Sequence, residues 1–171
     1  SSDSLTTFVR EAVEKGGVVV SDLAIQANGN VNFTDTSTQV TNLAVDVDGT
    51  GNLTFKESTN LVVTTVDGIN GADTSDGSIS ITTGVGGVTG DLQVSQNIRA
   101  DSGVAGTSTL SLVGSIANDN FTLDNIRTIM TNNGKITITY DNMAIGTTGT
   151  AIRTTTANTV ELGPIVAGTR I

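Results

Sequence analysis

The chain alternates apolar and polar positions in short bursts, and each burst opens on a small or turn residue. The bursts are Gly29-Asn-Val31-Asn-Phe33, Gly51-Asn-Leu53-Thr-Phe55, Gly77-Ser-Ile79-Ser-Ile81, Gly90-Asp-Leu92-Gln-Val94, Ser108-Thr-Leu110-Ser-Leu112, Gly134-Lys-Ile136-Thr-Ile138 and Asn158-Thr-Val160-Glu-Leu162. Such alternation is the period of a strand with one face buried. Successive bursts start 22, 26, 13, 18, 26 and 24 residues apart. Between them lie shorter apolar pieces: Leu43/Val45, Leu61/Val63, Ile69, Ile98, Phe121/Leu123 and Met143/Ile145.

A repeat of this length, built from short strands and Gly/Asn turns, predicts an all-β solenoid. Strands of four residues are not stable as isolated hairpins, but they hold when each coil pairs with its neighbours. Val31, Phe33, Leu53, Phe55, Ile79 and Ile81 then form the core, and Asn32, Thr54 and Ser80 face solvent. Phe33 and Phe55 stand one repeat apart in the same position, which predicts that they stack. The competing reading is a β-sandwich of many short strands. It would call for hairpin dipeptides at fixed loop lengths, and these do not recur.

Residues 1–17 follow another pattern. Leu5, Phe8, Val9, Ala12 and Val13 recur at the spacing of one helical face, with Asp3 or Ser4 as a cap and Gly16-Gly17 as a stop. That predicts a short amphipathic helix. Thr6, Thr7, Phe8 and Val9 are also strand formers, so an extended arm is the alternative. The chain divides accordingly into a capping helix or arm, 1–17, and a solenoid of about seven coils, 18–171.

Composition agrees with the pattern and removes many activities. The 171 residues include 30 Thr, 15 Asn, 20 Gly and one Pro, Pro164. Thr and Val suit a pleated surface, and Gly, Asn and Asp supply turns. The formal net charge is -9. A surface this acidic repels phosphate backbones, which sets nucleic acid aside as a partner. The absence of His and Cys removes imidazole acid–base chemistry, thiol chemistry and the usual zinc sites. With aromatics at 3%, there is little material for sugar- or base-stacking platforms. No apolar run approaches the length of a membrane span. Ser1-Ser-Asp-Ser has no basic or apolar leader segment, so the chain is expected to be mature or cut from something longer.

Candidate sites are few. Asp46, Asp48 and Asn52 flank glycines at a spacing that can hold calcium, but the acidic ligand that would complete a calcium loop is missing, and a polar turn is the plainer reading. No other cofactor is expected. Gly84-Val-Gly86-Gly87-Val-Thr-Gly90 lacks the Lys of a phosphate loop and reads as a turn. The Thr-x-Thr pairs 36/38, 107/109, 137/139 and 154/156 are too irregularly spaced to share one face. Asn32, Asn52 and Asn120 open glycosylation sequons, a number expected by chance in so Asn- and Thr-rich a chain. A polysaccharide-cleaving enzyme would need clustered Asp with Lys or Arg, and the eight basic residues are scattered. No catalytic site is expected.

Two stretches carry a family resemblance. They are Val66-Asp-Gly-Ile-Asn-Gly-Ala-Asp-Thr-Ser-Asp-Gly-Ser-Ile-Ser-Ile-Thr-Thr and Gly90-Asp-Leu-Gln-Val-Ser-Gln-Asn-Ile-Arg-Ala. Both resemble repeats of filamentous-haemagglutinin-like giant bacterial surface proteins, as does Met143-Ala-Ile-Gly followed by residues 158–171. The resemblance covers about 20–171. It implies a right-handed parallel β-helix on a secreted or surface-attached bacterial protein. The Asn-Pro-Asn-Gly type motif of the family's secretion domain does not occur, so a piece of a giant protein or a short relative that assembles from copies is expected. The role implied is a non-catalytic stalk, fibre or filament of the cell exterior. The alternative is an adhesin that binds glycan or a host surface through loops 99–107 or 147–156. Membrane insertion is not expected.

Solenoid ends expose unpaired strand edges, which pair with other chains unless capped. Residues 168–171 carry no cap signal. Copies of the chain are therefore expected to join head to tail, with Leu5, Phe8, Val9 and Val13 as the assembly face.

Overall fold

A computed structural model describes residues 4–9, 12–13, 16–100, 108–149, 151–155 and 158–165. Among them there is no helix, and almost all strand pairing is parallel. A seven-stranded sheet joins, in order, Ala12–Val13, Val31–Phe33, Leu53–Lys56, Ile79–Thr83, Leu110–Gly114, Ile136–Thr139 and Val160–Gly163. An eleven-stranded sheet starts with three strands, Ser4–Val9, Val19–Ala27 and Gln39–Val47, and then forks.

The fork lies within Gln39–Val47. Its Asn42 and Leu43 pair with Val62 and Val63, while Val45, Asp46 and Val47 pair with Ala72, Asp73 and Thr74. One arm continues as Leu61–Val63, Leu92–Val94, Asn120–Leu123 and Asn142–Ile145. The other continues as Ala72–Thr74, Ile98–Ala100, Thr128–Thr131 and Ala151–Thr154. The chain between the arms turns outward as an antiparallel hairpin, Thr65–Val66 against Ile69–Asn70. Asp67 and Gly68 make its turn with φ of 48° and 84°, the left-handed pair that a two-residue hairpin requires. Val66 and Ile69 pack on Ala24 and Ala44. Those two small outward residues leave room for the hairpin on the sheet.

The register gives the repeat its true period. In the seven-stranded sheet Val31 pairs with Leu53, Leu53 with Ile79, Ile79 with Leu110, Leu110 with Ile136 and Ile136 with Val160. The step from Ile79 to Leu110 is 31 residues. The expected copy at Gly90–Val94 is not in this series: Leu92–Val94 pairs with Leu61–Val63 in the other sheet. The apparent spacings of 13 and 18 were two parts of one step. Alternation alone does not say which sheet a strand joins.

Within the expected helix over residues 1–17, the described segments Ser4–Val9 and Ala12–Val13 are strands. Ser4–Val9 pairs in parallel with residues 22–27, and Ala12–Val13 with Val31 and Asn32. A short helix with a mediocre sequence competes poorly with a sheet edge that offers six consecutive pairing positions. The extended alternative describes this backbone.

The core consists of columns running across the strands. Val31, Leu53, Ile79, Leu110 and Ile136 make one, and Phe33, Phe55, Ile81, Leu112 and Ile138 another; all are buried. Phe33 and Phe55 stack as expected, with ring centroids 5.6 Å apart. Phe121 and Tyr140 make a second ring contact at 5.6 Å.

Turns stack as regularly as strands. Asn30 Oδ1 accepts the N–H of Asn52, Asn52 Oδ1 accepts that of Ser78, and Ser78 Oγ accepts that of Thr109. A parallel chain of bonds links Asn60, Asp91 and Asn120. These side chains satisfy corner N–H groups that the strand ladders miss. The corners are also tight: a Cβ on Gly134 would lie 1.3 Å from the Ser108 carbonyl oxygen. Two buried carboxylates serve the same purpose. Glu57 accepts the N–H groups of Val40 (2.7 Å) and Thr59 (3.1 Å), and Asp119 those of Gly90 (2.7 Å) and Ile116 (3.0 Å).

Candidate functional site

The densest polar chemistry lies on the outer face of the eleven-stranded sheet, beside the hairpin. Register aligns Gln26, Asp46, Asp73, Arg99, Met130 and Arg153 in one column across six strands. Their chain neighbours point inward: Val45, Val47, Ala72, Thr74, Ile98, Ala100, Ile129 and Thr131 are buried. Alternation therefore turns the column outward. A cavity of about 450 Å³ opens between this column and the hairpin, lined by Gln26, Asp46, Asp67, Gly68, Ile69, Asn70 and Asp73.

The electrostatics of the column are uneven. Burial raises the Asp46 carboxyl above its ordinary range, and nearby Asp48 adds to the rise. Burial also raises Asp73; Arg99 opposes that rise, while Asp46 and Asp48 reinforce it. Asp73 and Arg99 form a half-exposed ion pair at 3.9 Å. Asp73 Oδ1 and Arg99 Nε have no hydrogen-bond partner. Elsewhere, Glu57 is raised by burial against the hydrogen bonds it accepts.

These shifts predict a pH dependence. A carboxyl whose folded pKa lies above its unfolded value makes the folded state bind protons more tightly, so stability rises as pH falls through the folded pKa towards the unfolded one. Asp46, Asp73 and Glu57 all have this sign. Asp35 has the opposite sign, being lowered by bonds from Ser37 at the surface. The protein is expected to melt higher at about pH 5 than at about pH 7.5, with partial relief of its -9 net charge in the same direction. Thermal melts at the two values check this, and Asp73→Asn should shrink the difference. A higher melting point at the more alkaline value would show that the sign is wrong.

Of the calcium candidates, Asp46 belongs to the column and Asp48 follows its strand, while Asn52 directly precedes the strand Leu53–Lys56 of the seven-stranded sheet and its Oδ1 accepts the Ser78 N–H at 2.8 Å. Among the described residues no three acidic groups are placed to hold a metal ion. EDTA is expected to leave the melting temperature unchanged. A fall of many degrees would make calcium structural.

The other sequence candidates have structural settings. In the glycine loop, Thr83 Oγ1 donates to the Gly90 carbonyl and Gly90 N–H donates to Asp119, which makes it a corner. Thr137 and Thr139 lie on the seven-stranded sheet, Thr154 ends a strand of the other, and Thr36 and Thr38 precede one. The sequon residues Asn52 and Asn120 are bound into the turn ladders. The expected adhesin loops lie partly outside the described residues, at 101–107, 150 and 156.

Of the expected assembly face, Leu5 and Val9 pair in register with Leu23 and Ala27, Phe8 with Gln26, and Val13 with Asn32. Their side chains lie outside the described residues. On the last described strands of these sheets the apolar side chains are more exposed. Ile145, Val160 and Leu162 are 41%, 39% and 41% exposed, whereas their register partners Leu123, Ile136 and Ile138 are buried.

Sequence singles out Asp73, with Asp76, only as a weaker calcium candidate than Asp46 and Asp48, and Arg99 only as the start of loop 99–107; neither their alignment nor the hairpin was expected. The Asp67-Gly68 dipeptide between Val66 and Ile69 is a hairpin signal that was available. The alignment of Asp46, Asp73 and Arg99 was not, because it depends on register across steps of 27 and 26 residues. No protein-family model, curated protein or solved structure matches the chain.

Proposed function

We propose that the chain is a non-catalytic structural segment of the bacterial exterior: a right-handed parallel β-helix that stiffens a stalk or fibre. The observation that carries this reading is the unbroken parallel register with continuous core columns. Strands alternate between the two large sheets in chain order, first Val19–Ala27, then Val31–Phe33, then Gln39–Val47, then Leu53–Lys56. A path that returns one strand further along each time is a coil. Beyond the fork each coil gains a third side, as in Leu61–Val63, Ala72–Thr74 and Ile79–Thr83. Right-handedness follows from the general preference of parallel crossover connections and from the family resemblance, which also suggests the extracellular setting. Backbone ladders and stacked columns resist bending without needing a ligand site.

End-to-end joining of copies is part of this proposal, and the exposure of Ile145, Val160 and Leu162 supports it as a further apolar contact surface. Apolar core residues exposed beside unpaired strand edges are what a further rung would cover. Sedimentation velocity in high salt tests the reading. An open-ended series of species growing with concentration is expected, and Ile145→Asp with Leu162→Asp should collapse it to monomer. A wild-type monomer at every concentration would remove self-assembly from the role.

A further inference from the structure

The outward column carries both signs of charge in a definite order. Asp46 and Asp73 occupy adjacent strands, with Asp48 and Asp76 close in sequence; Arg99 and Arg153 follow, separated by Met130. We infer that this face is a self-complementary contact on which a second copy of the chain lies antiparallel, the acidic half of each copy against the basic half of the other. It stands apart from the end-to-end joint: that contact is apolar and caps the last rung, whereas this one is ionic and lies along the side.

Charge complementarity selects the occupant. A simple cationic ligand would be drawn to Asp46 and Asp73 but repelled by Arg99 and Arg153, and an anionic one the reverse. A parallel second copy would set like charges side by side. Only an antiparallel copy pairs both halves at once, and a two-fold axis makes the contact closed and identical from each side. With the axis crossing between the Asp73 and Arg99 strands, Asp73 of each copy meets Arg99 of the other. Asp46 then faces Met130, and Arg153 of the second copy falls at the Gln26 strand, one strand from Asp46 and next to the cavity of about 450 Å³ beside the hairpin.

The ion pair within one chain leaves capacity for this. Its closest approach is 3.9 Å, and Asp73 and Arg99 remain 36% and 42% exposed. One carboxylate oxygen of Asp73 and the Nε of Arg99 are buried within the chain and without partners there, so each reaches a second copy only by turning outward. Modest side-chain rotation lets both form charge-assisted bonds across the axis. The contact is small. Five strand-to-strand steps of about 4.8 Å span about 24 Å, and one column wide this falls well short of the roughly 800 Å² per partner of a standard interface. The association is therefore weak and sensitive to salt.

Sedimentation equilibrium of the full chain tests it. In the Ile145→Asp, Leu162→Asp background, which removes end-to-end joining, a discrete monomer–dimer equilibrium is expected at about 20 mM salt, weakened at least about tenfold at about 500 mM. Arg99→Asp and Arg153→Glu should each weaken it about tenfold or more at low salt. The double exchange Asp73→Arg with Arg99→Asp should restore it, because it preserves the complementarity with signs reversed. Circular dichroism and melting confirm that each variant is folded; should the double exchange not fold, the exposed Arg153→Glu alone decides. A monomer at low salt, a dimer indifferent to salt, or failure of a folded double exchange to restore pairing would each overturn the proposal. End-to-end joining gives an open series that the charge variants leave unchanged, so the two contacts fail separately.

Discussion

Replacing Ile81 by aspartate is expected to abolish folding. Ile81 is 0% exposed and sits mid-column, paired in register with Phe55 on one side and Leu112 on the other. The substitution forfeits about 2–3 kcal/mol of apolar burial and places an unpaired carboxylate in the core at a cost of several kcal/mol more. Their sum rivals the total stability of a typical domain, about 5–15 kcal/mol. A parallel sheet also transmits the damage, since each strand depends on its neighbours for pairing. Circular dichroism should show loss of the strand spectrum. Ser80→Asp, one residue away on the outward side, should stay within about 0.5 kcal/mol of the parent. A folded Ile81→Asp variant of equal stability would refute the register and the column with it.

Replacing Asp119 by alanine is expected to cost about 3–5 kcal/mol. Asp119 is fully buried and accepts two backbone N–H groups, one from the Gly90 corner and one from its own turn at Ile116. These corners are 29 residues apart in sequence. Alanine leaves the buried Gly90 N–H and the part-buried Ile116 N–H without this acceptor and opens a small void beside Gly114, where an added Cβ would lie 2.8 Å from Asp119. Asp119→Asn keeps one acceptor oxygen and should lose roughly half as much. Urea unfolding with an unchanged m-value would give the difference directly. A loss below about 1 kcal/mol for the alanine variant would mean that water takes the place of the carboxylate.

The sequence by itself determined the local facts. Alternation at Val31-Asn-Phe33, Leu53-Thr-Phe55 and Ile79-Ser-Ile81 identified strands and their buried sides, because a side chain's direction in a strand depends only on parity. The match of Phe33 with Phe55 was legible too, since the 22-residue step between their strands is the plain repeat. Tertiary structure decided whatever depended on which strand lies beside which. It made residues 4–9 a strand, because the edge of Val19–Ala27 outweighed a weak helical pattern. It sent Leu92–Val94 to the forked sheet, although its alternation matches that of Ile79–Ser80–Ile81, and it divided Gln39–Val47 between two arms. It also drew Asp46, Asp73 and Arg99 into one outward column while holding Asn52 on the opposite sheet. Turn length absorbs variable numbers of residues without disturbing the register of the strands, so distance along the chain carries no record of distance across the sheet.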